Sequence, residues 1–245
     1  MKMNANRYLC ICLSSAIDAT VRLASWPTEG CIIKNAVDVF APGGKAVNVA
    51  RWLAKRGATV ACGGLLGEDN AALFEKELAK YGIEDRFVRV PGSTRVNEMF
   101  VTPQGSFKIN REASGGLPRA WEDLGGSAGF DVVVLSGSLP KAWPMDTYRT
   151  FVAAEFQKAT AALKAFCEVP IISDGAAGCW FDGKFVAAPT VEVLDTTAAG
   201  DTLLAEWCFS GDARLAVAAG SAACMRPGGE PPEVDFVLAL ERKVG

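Results

Sequence analysis

The sequence predicts an α/β protein built on a mostly parallel sheet. Short apolar runs suited to buried strands alternate with longer segments of helical periodicity, the pattern of strand–helix–strand units. The run Asp131–Leu135 (DVVVL) is apolar on both faces, as a strand covered by helices on each side has to be. A chain of 245 residues, 50% hydrophobic and 22% charged, has ample core to bury and is neither disordered nor collagen-like.

Taken in order, Tyr8–Leu13 (YLCICL) reads as a first buried strand. It is too short for a signal-peptide core or a membrane helix, and no other stretch reaches spanning length, so a cytoplasmic location is expected. Ile32–Phe40 alternates loosely, as a half-exposed strand does. A turn over Ala41–Lys45 leads into a helix from about Ala46 to Arg56, ended by Gly57. Thr59–Leu66 reads as a second buried strand, Glu68–Tyr81 as an amphipathic helix closed by Gly82, and Arg86–Val90 as a short strand. Val96–Thr102 and Ser106–Asn110 flank Pro103-Gln104-Gly105, a hairpin signal. After Asp131–Leu135 come a helix over Tyr148–Phe166 and a strand over Pro170–Ser173. A hairpin of Cys179–Phe181 and Phe185–Ala187 follows, then helices over Thr202–Cys208, Ala213–Met225 and Glu233–Arg242. The strand-rich patches at about 32–40 and 96–110 do not fit the alternation and are expected to form a small separate sheet at one edge of a single domain, 1–245.

Composition narrows the chemistry. A net charge of −3 leaves no basic surplus to hold a nucleic-acid backbone or an anionic membrane. Histidine is absent, which removes the Ser-His-Asp triad, the Cys-His pair and the zincin motif. The eight cysteines form no Cys-x-x-Cys and sit within apolar runs, so they are expected to be free core thiols of a reducing compartment. The six tryptophans read most simply as packing residues.

Two segments carry candidate chemistry. Pro42-Gly43-Gly44-Lys45 places two glycines at a helix entry, where free amides favour anions, with the Lys45 charge beside them and Asn48 on the same side one turn later. It is neither a P-loop nor a dinucleotide fingerprint, and a plain strand-to-helix turn accounts for it equally well. Asp195–Thr202 (DTTAAGDT) opens a helix with small residues. There Asp201 is either an N-cap or a general base that takes a proton from a hydroxyl, while the amides of Ala199 and Gly200 steady a transferred phosphoryl group.

Together, in this order and about 150 residues apart, these segments resemble the two signatures of the ribokinase-like (PfkB) carbohydrate kinases. Further pieces agree: Ser15-Ala16-Ile17-Asp18 resembles the family's substrate aspartate, and Ser136–Pro140 (SGSLP) a turn of its sugar-phosphate members. Asp174–Gly178 (DGAAG) resembles its nucleotide-side turn, and Ala218–Ala223 its last core helix. The resemblance implies a three-layer α/β/α sandwich with a small β lid, which often joins two subunits. It implies transfer of the γ-phosphoryl group of ATP, with Mg²⁺, to a sugar hydroxyl. By the same resemblance Asp201 is catalytic and Ala198, Ala199 and Gly200 form an anion hole. Asp18, Gly43, Gly44, Lys45, Asn48, Arg95 and Ser138 bind substrate, and Gly175, Gly178 and Ser221 bind nucleotide; the metal ligands are unknown. Asp18 could instead cap a turn.

PGGK-x-x-NVAR with TRVN and SGSLP looks like 1-phosphofructokinases and tagatose-6-phosphate kinases, whereas Thr-Thr-Ala-Ala-Gly-Asp is common in ribokinases, which act on an unphosphorylated sugar. Lys45 and Arg95 are the leading phosphate-binding cations, with Lys34 and Lys108 as lesser candidates that a solvated surface explains as well. The chain departs from the family by being several dozen residues shorter. The stretches 111–130, 141–152 and 209–213 look trimmed, and residues 141–200 contain no Asn-x-x-Glu, the motif that lies near metal and phosphates in the family. Three explanations stand: residues missing between consecutive numbers, a non-catalytic sugar-phosphate-binding relative, or an enzyme that assembles its metal site otherwise. A dehydrogenase is a distant further reading, since no GxGxxG exists here.

Overall fold

The structure is a computed structural model that describes residues 7–34, 36–112, 129–139, 171–181 and 183–245. The expected helix Tyr148–Phe166, the trimmed stretch at 141–152 and most of that at 111–130 lie outside the described residues, as do Trp121, Trp143 and Cys167.

Four strands, β1 (Arg7–Cys12), β4 (Thr59–Gly67), β5 (Glu84–Val90) and β8 (Val132–Leu135), form a wholly parallel sheet in the order β5-β4-β1-β8. β1 is central and almost completely buried, which explains its unbroken apolar run. Its side chains divide between the two faces of the sheet. Tyr8, Cys10 and Cys12 join the larger core with α1 (Lys45–Lys55), while Leu9, Ile11 and Leu13 pack on the other face with Ala61 and Leu65. α1 lies on β1 and β4 and against α3 (Ala199–Ser210). α4 (Ala213–Ala223) packs on α3, and α5 (Val234–Glu241) on α4.

A second sheet joins β2 (Ala16–Arg22), β3 (Val37–Gly43), β6 (Val96–Thr102) and β7 (Gly105–Ile109) in the order β3-β2-β6-β7. β2–β3 and β6–β7 are antiparallel, while β2–β6 is parallel. β2 has no counterpart in the sequence reading. Only Leu13, Ser14 and Ser15 separate it from β1, so the two strands read as one apolar stretch with a tail. The strand expected at Ile32–Phe40 runs from Val37 to Gly43 instead, because pairing with β2 carries it past Pro42 to Gly43 opposite Ala16. A third, antiparallel sheet holds β9 (Ile171–Ser173), β10 (Gly178–Phe181) and β11 (Lys184–Ala187), with a 3-10 turn over Gly175–Ala177 between the first two.

The helix expected from Glu68 begins instead as a 3-10 turn over Glu68–Asn70 and becomes α2 at Ala72–Lys80. Asn70 trades helical bonding for a reciprocal pair with Thr94, donating to its carbonyl at 2.9 Å and accepting from its amide at 2.8 Å. Near 209–213 the link between α3 and α4 is short. Gly211 ends α3 in the left-handed conformation (φ 66°), and the Asp212 carboxylate caps α4 by accepting from the amides of Arg214 and Leu215.

α1 and α3 meet along a polar seam inside an apolar core. Glu206 is fully buried, accepts from Trp52 Nε1 at 2.8 Å, and lies 2.9 Å from Arg56 Nε. Not every expected core residue is inside. Cys31 is exposed and Cys208 and Cys224 are half-buried, whereas Cys10, Cys12, Cys62 and Cys179 are buried free thiols. Trp52 is buried, but Trp26 and Trp180 stay 47% and 43% exposed, each against a phenylalanine ring on a sheet surface. No helix among the described residues is long and apolar enough to cross a membrane.

Candidate active site

The second sheet, the start of α1, the loop after β8 and the start of α3 enclose a polar cleft of about 440 Å³. Asp18, Gly44, Lys45, Asn48, Arg95, Ser138, Ala198 and Asp201 all line it, with Asn97, Lys108, Thr196 and Thr197. The two motifs, far apart in sequence, therefore face one space.

The glycines have separate tasks. Gly44 stands before α1 at φ 119°, and a Cβ there would come within 2.6 Å of Cys12 Sγ. Gly43 belongs to β3 rather than to a turn, and its missing side chain leaves the space that the Asp18 carboxylate occupies. Asp18 is the third residue of β2, so it is held in a strand and does not cap a turn. Its Oδ1 accepts from Asn97 Nδ2 at 3.2 Å and lies 3.6 Å from Lys108 Nζ. Lys108 is thus a cleft residue. Its own strand is exposed at every position, so nothing local distinguishes it from a surface lysine. Lys34 is exposed and does not line the cleft.

Asp201 is the third residue of α3, which starts three positions earlier than its apolar pattern suggests. The N-cap position belongs to Ala198, whose φ of 65° is the one positive value of a non-glycine residue among the described residues. The capping alternative for Asp201 is thereby overturned: its carboxylate accepts from Asn48 Nδ2 at 2.9 Å and is 7% exposed. Burial pushes its carboxyl above the usual carboxylate range, while the Asn48 hydrogen bond and the charges of Lys45 and Arg51 pull it back. Of the three amides expected to hold an anion, that of Ala199 donates to the Thr196 carbonyl at 3.3 Å. Among the described residues no backbone acceptor engages the amides of Ala198 and Gly200.

Arg95 lines the cleft but spends most of its guanidinium on the main chain. It donates to the carbonyls of Ser14 (3.0 Å), Ser15 (3.3 Å) and Arg111 and to Ser14 Oγ (2.9 Å). It therefore ties the β1–β2 link to the second sheet, and Lys45 and Lys108 are the cleft cations with the most donors to spare.

On the far side of the α3 start lies a more apolar cleft of about 360 Å³. Gly175, Gly178 and Ser221 line it, together with Val191, Leu203, Val217 and the exposed face of Ala199–Gly200. Ser221 Oγ donates to the Val217 carbonyl at 2.9 Å, which leaves it an acceptor there. Thr196 lines both clefts, Ala199 and Gly200 the apolar one and Ala198 and Asp201 the polar one, so the stretch from Thr196 into the first turn of α3 is the wall between them. Among the described residues no three His, Cys, Asp or Glu side chains gather as metal ligands.

A mostly parallel α/β core with a second sheet is the fold of ribokinase-like kinase structures. The model of the pfkB family carbohydrate kinases matches residues 9–164, and the chain belongs to that family. It is 35% identical over 156 residues to a 1-phosphofructokinase of Rhodobacter capsulatus, covering 60% of this chain and 49% of that one. It is 33% identical over 138 residues to a 1-phosphofructokinase of Haemophilus influenzae, covering 51% and 44%. The chain thus spans about half the length of the curated relatives it matches. Its fold is that of phosphofructokinase-2 from Escherichia coli in complex with fructose-6-phosphate (TM-score 0.79, 17% identity, 97% and 98% of the two chains). It is also that of a putative ribokinase from Agrobacterium tumefaciens (TM-score 0.70, 20% identity, 98% of each).

Proposed function

We propose that the protein transfers the γ-phosphoryl group of ATP to a hydroxyl of a sugar phosphate, with fructose 1-phosphate the first candidate acceptor. The observation that carries this reading is the position of Asp201, buried in the wall between the two clefts with one carboxylate oxygen engaged by Asn48. The other oxygen is then the base for an alcohol proton, and a carboxyl held above its ordinary range is a better base than a solvated one. In the polar cleft Asp18 and Asn97 suit sugar hydroxyls, and Lys45 and Lys108 suit the phosphate that the acceptor already carries. The apolar cleft suits a nucleobase, with Gly175 and Gly178 allowing close approach of backbone to phosphates. The open amides of Ala198 and Gly200 point to where transferred charge needs support. Family membership implies ATP use, with Mg²⁺ typical; the ion would neutralise phosphate charge. The names of the relatives support a phosphorylated sugar.

Apolar side chains left exposed on the second sheet (Val39, Phe40, Phe107, Ile109) support its role as a lid shared by two subunits. Buried free thiols support a cytoplasmic setting.

The test is an ADP-release assay with fructose 1-phosphate, fructose 6-phosphate and tagatose 6-phosphate, run alongside Asp201→Asn. Turnover by the wild type and loss in the variant are expected. Absence of turnover on every sugar, with binding retained, would replace this reading with a second one, a sugar-phosphate-binding relative. That second reading is favoured by the lack of Asn-x-x-Glu in residues 141–200.

A further inference from the structure

We infer that Arg51 is a positioning residue: its guanidinium determines which end of the Asn48 carboxamide faces Asp201. The inference rests on the proposed role of Asp201 for its kinetic consequence, but its geometric content stands apart from that role.

A carboxamide has two ends of nearly equal size, one accepting and one donating. If Asn48 turned its oxygen toward Asp201, two acceptors would oppose each other, and the carboxylate would lose its donor. An asparagine free to rotate about its last bond has no intrinsic reason to avoid this. Here Arg51 Nη2 donates to Asn48 Oδ1 at 2.6 Å, and a guanidinium only donates, so that end of the amide has to be oxygen. Nδ2 is then the end presented to Asp201 Oδ2 at 2.9 Å. Arg51 stands three residues after Asn48 on α1, the spacing at which two side chains on one helix meet.

The guanidinium is itself immobilised. It is 3% exposed, and it bonds acceptors from three elements: Asn48 on α1, the Pro42 carbonyl near the end of β3 at 3.0 Å, and Glu77 Oε1 on α2 at 3.1 Å. A buried arginine is tolerated when it is paired in this manner, and only a planar fork reaches three divergent acceptors. The contact with Pro42 also holds the residue before Gly43 and Gly44, so one side chain steadies both the glycine turn and the Asn48–Asp201 pair. Arg51 closes the PGGK-x-x-NVAR stretch, but the stretch by itself gives it no partner.

The ionisable groups around Asp201 are Lys45 and Arg51 from α1, Cys12 from β1, and Asp18, Arg95 and Lys108 across the cleft. α4, packed on the other side, offers only Arg214, which is turned to Glu241. Arg51 is thus a charge near Asp201 as well as the partner of its donor, and the experiment separates the two effects.

The experiment follows the Asn48 side-chain amide by ¹H–¹⁵N NMR across pH, in the wild type and in Arg51→Met and Arg51→Lys, beside steady-state kinetics. In the wild type one Asn48 amide proton is expected downfield and to titrate with Asp201. In Arg51→Met the downfield shift should collapse, the titration should move to higher pH, and kcat should fall at least about tenfold with the acid limb moved the same way and KM little changed. Arg51→Lys keeps the charge but not the fork, so the amide shift should still collapse while the titration moves less. Should Arg51→Met fail to fold, Arg51→Lys carries the amide readout alone. Unchanged Asn48 amide shifts in either folded variant overturn the inference, as does a shift in titration with the amide signature intact, which would make Arg51 a charge and no more. A wild type without turnover overturns the kinase reading instead, and the amide shifts still decide the role of Arg51.

Discussion

Lys108 Nζ lies 3.6 Å from Asp18 Oδ1, a contact that joins β7 to β2 across β6 at the edge of the polar cleft. The lysine is 37% exposed and the aspartate 20%, so the pair adds no more than about 1 kcal/mol to stability. Its value lies in placing a cation beside the residue suited to sugar hydroxyls. Lys108→Met is expected to leave the melting temperature nearly unchanged and to raise KM for a phosphorylated sugar by about tenfold, through loss of a charge-assisted contact. Kinetics with a sugar phosphate and with its unphosphorylated sugar check this: equal effects on both would remove Lys108 from phosphate binding.

Gly43→Ala should act through Asp18. An added Cβ overlaps the Asp18 carboxylate and sits 3.0 Å from the Ala16 carbonyl, so the carboxylate has to leave its position while the strand pairing resists. Sugar-phosphate affinity, measured by calorimetry, is expected to drop by about tenfold or more, consistent with loss of a hydrogen bond to a charged group. Retained affinity would mean that Asp18 is not a sugar ligand.

Asp201→Asn should lose activity and gain stability. The carboxyl titrates higher in the folded chain than in the unfolded one, so the folded state holds more protons between those two values. Stability therefore falls as pH rises through that window, and the penalty persists above it. Asparagine carries no such penalty. Its melting temperature should exceed that of the wild type at pH 7 and converge with it near about pH 4, where the unfolded aspartate becomes protonated. Turnover should fall by roughly 10²–10⁴-fold, the usual share of a general base. Wild-type activity should itself decline on the acid side at a pH above the ordinary carboxylate range. A variant no more stable than the wild type at neutral pH would show that the burial of Asp201 carries no cost.

Glu206→Ala tests the seam between α1 and α3. The change strands Trp52 Nε1 and leaves Arg56 without its carboxylate in a core position. A loss of about 3–5 kcal/mol in urea unfolding is expected, as for one partner removed from a buried pair. Glu206→Gln, which still accepts from Trp52, should lose less, and equal losses would assign the effect to charge rather than to the hydrogen bond.

How far the sequence was legible depends on the range of each interaction. The glycine-lysine entry of α1, the small-residue entry of α3 and the apolar strand β1 announce themselves within ten residues, because backbone freedom, helix termini and burial are local matters. β2 is not legible because its only boundary with β1 is a three-residue link. The settings of Lys108 and Arg95 are not legible in the sequence. The first gains its place from Asp18 on a strand that merges with β1 in the sequence, and the second turns its donors to carbonyls that no side-chain pattern reports.

Local chemistry thus settled the α/β class, the two helix entries and the residue types able to bind anions and move a proton. Folding had to settle the rest. Asn48 and Asp201 are 153 positions apart and meet only because α1 and α3 pack on the same side of β1. Whether Asp201 caps a helix or presents its carboxyl to the polar cleft depends on that meeting, since a carboxylate takes its role from the donors and the solvent around it, and those come from distant parts of the chain.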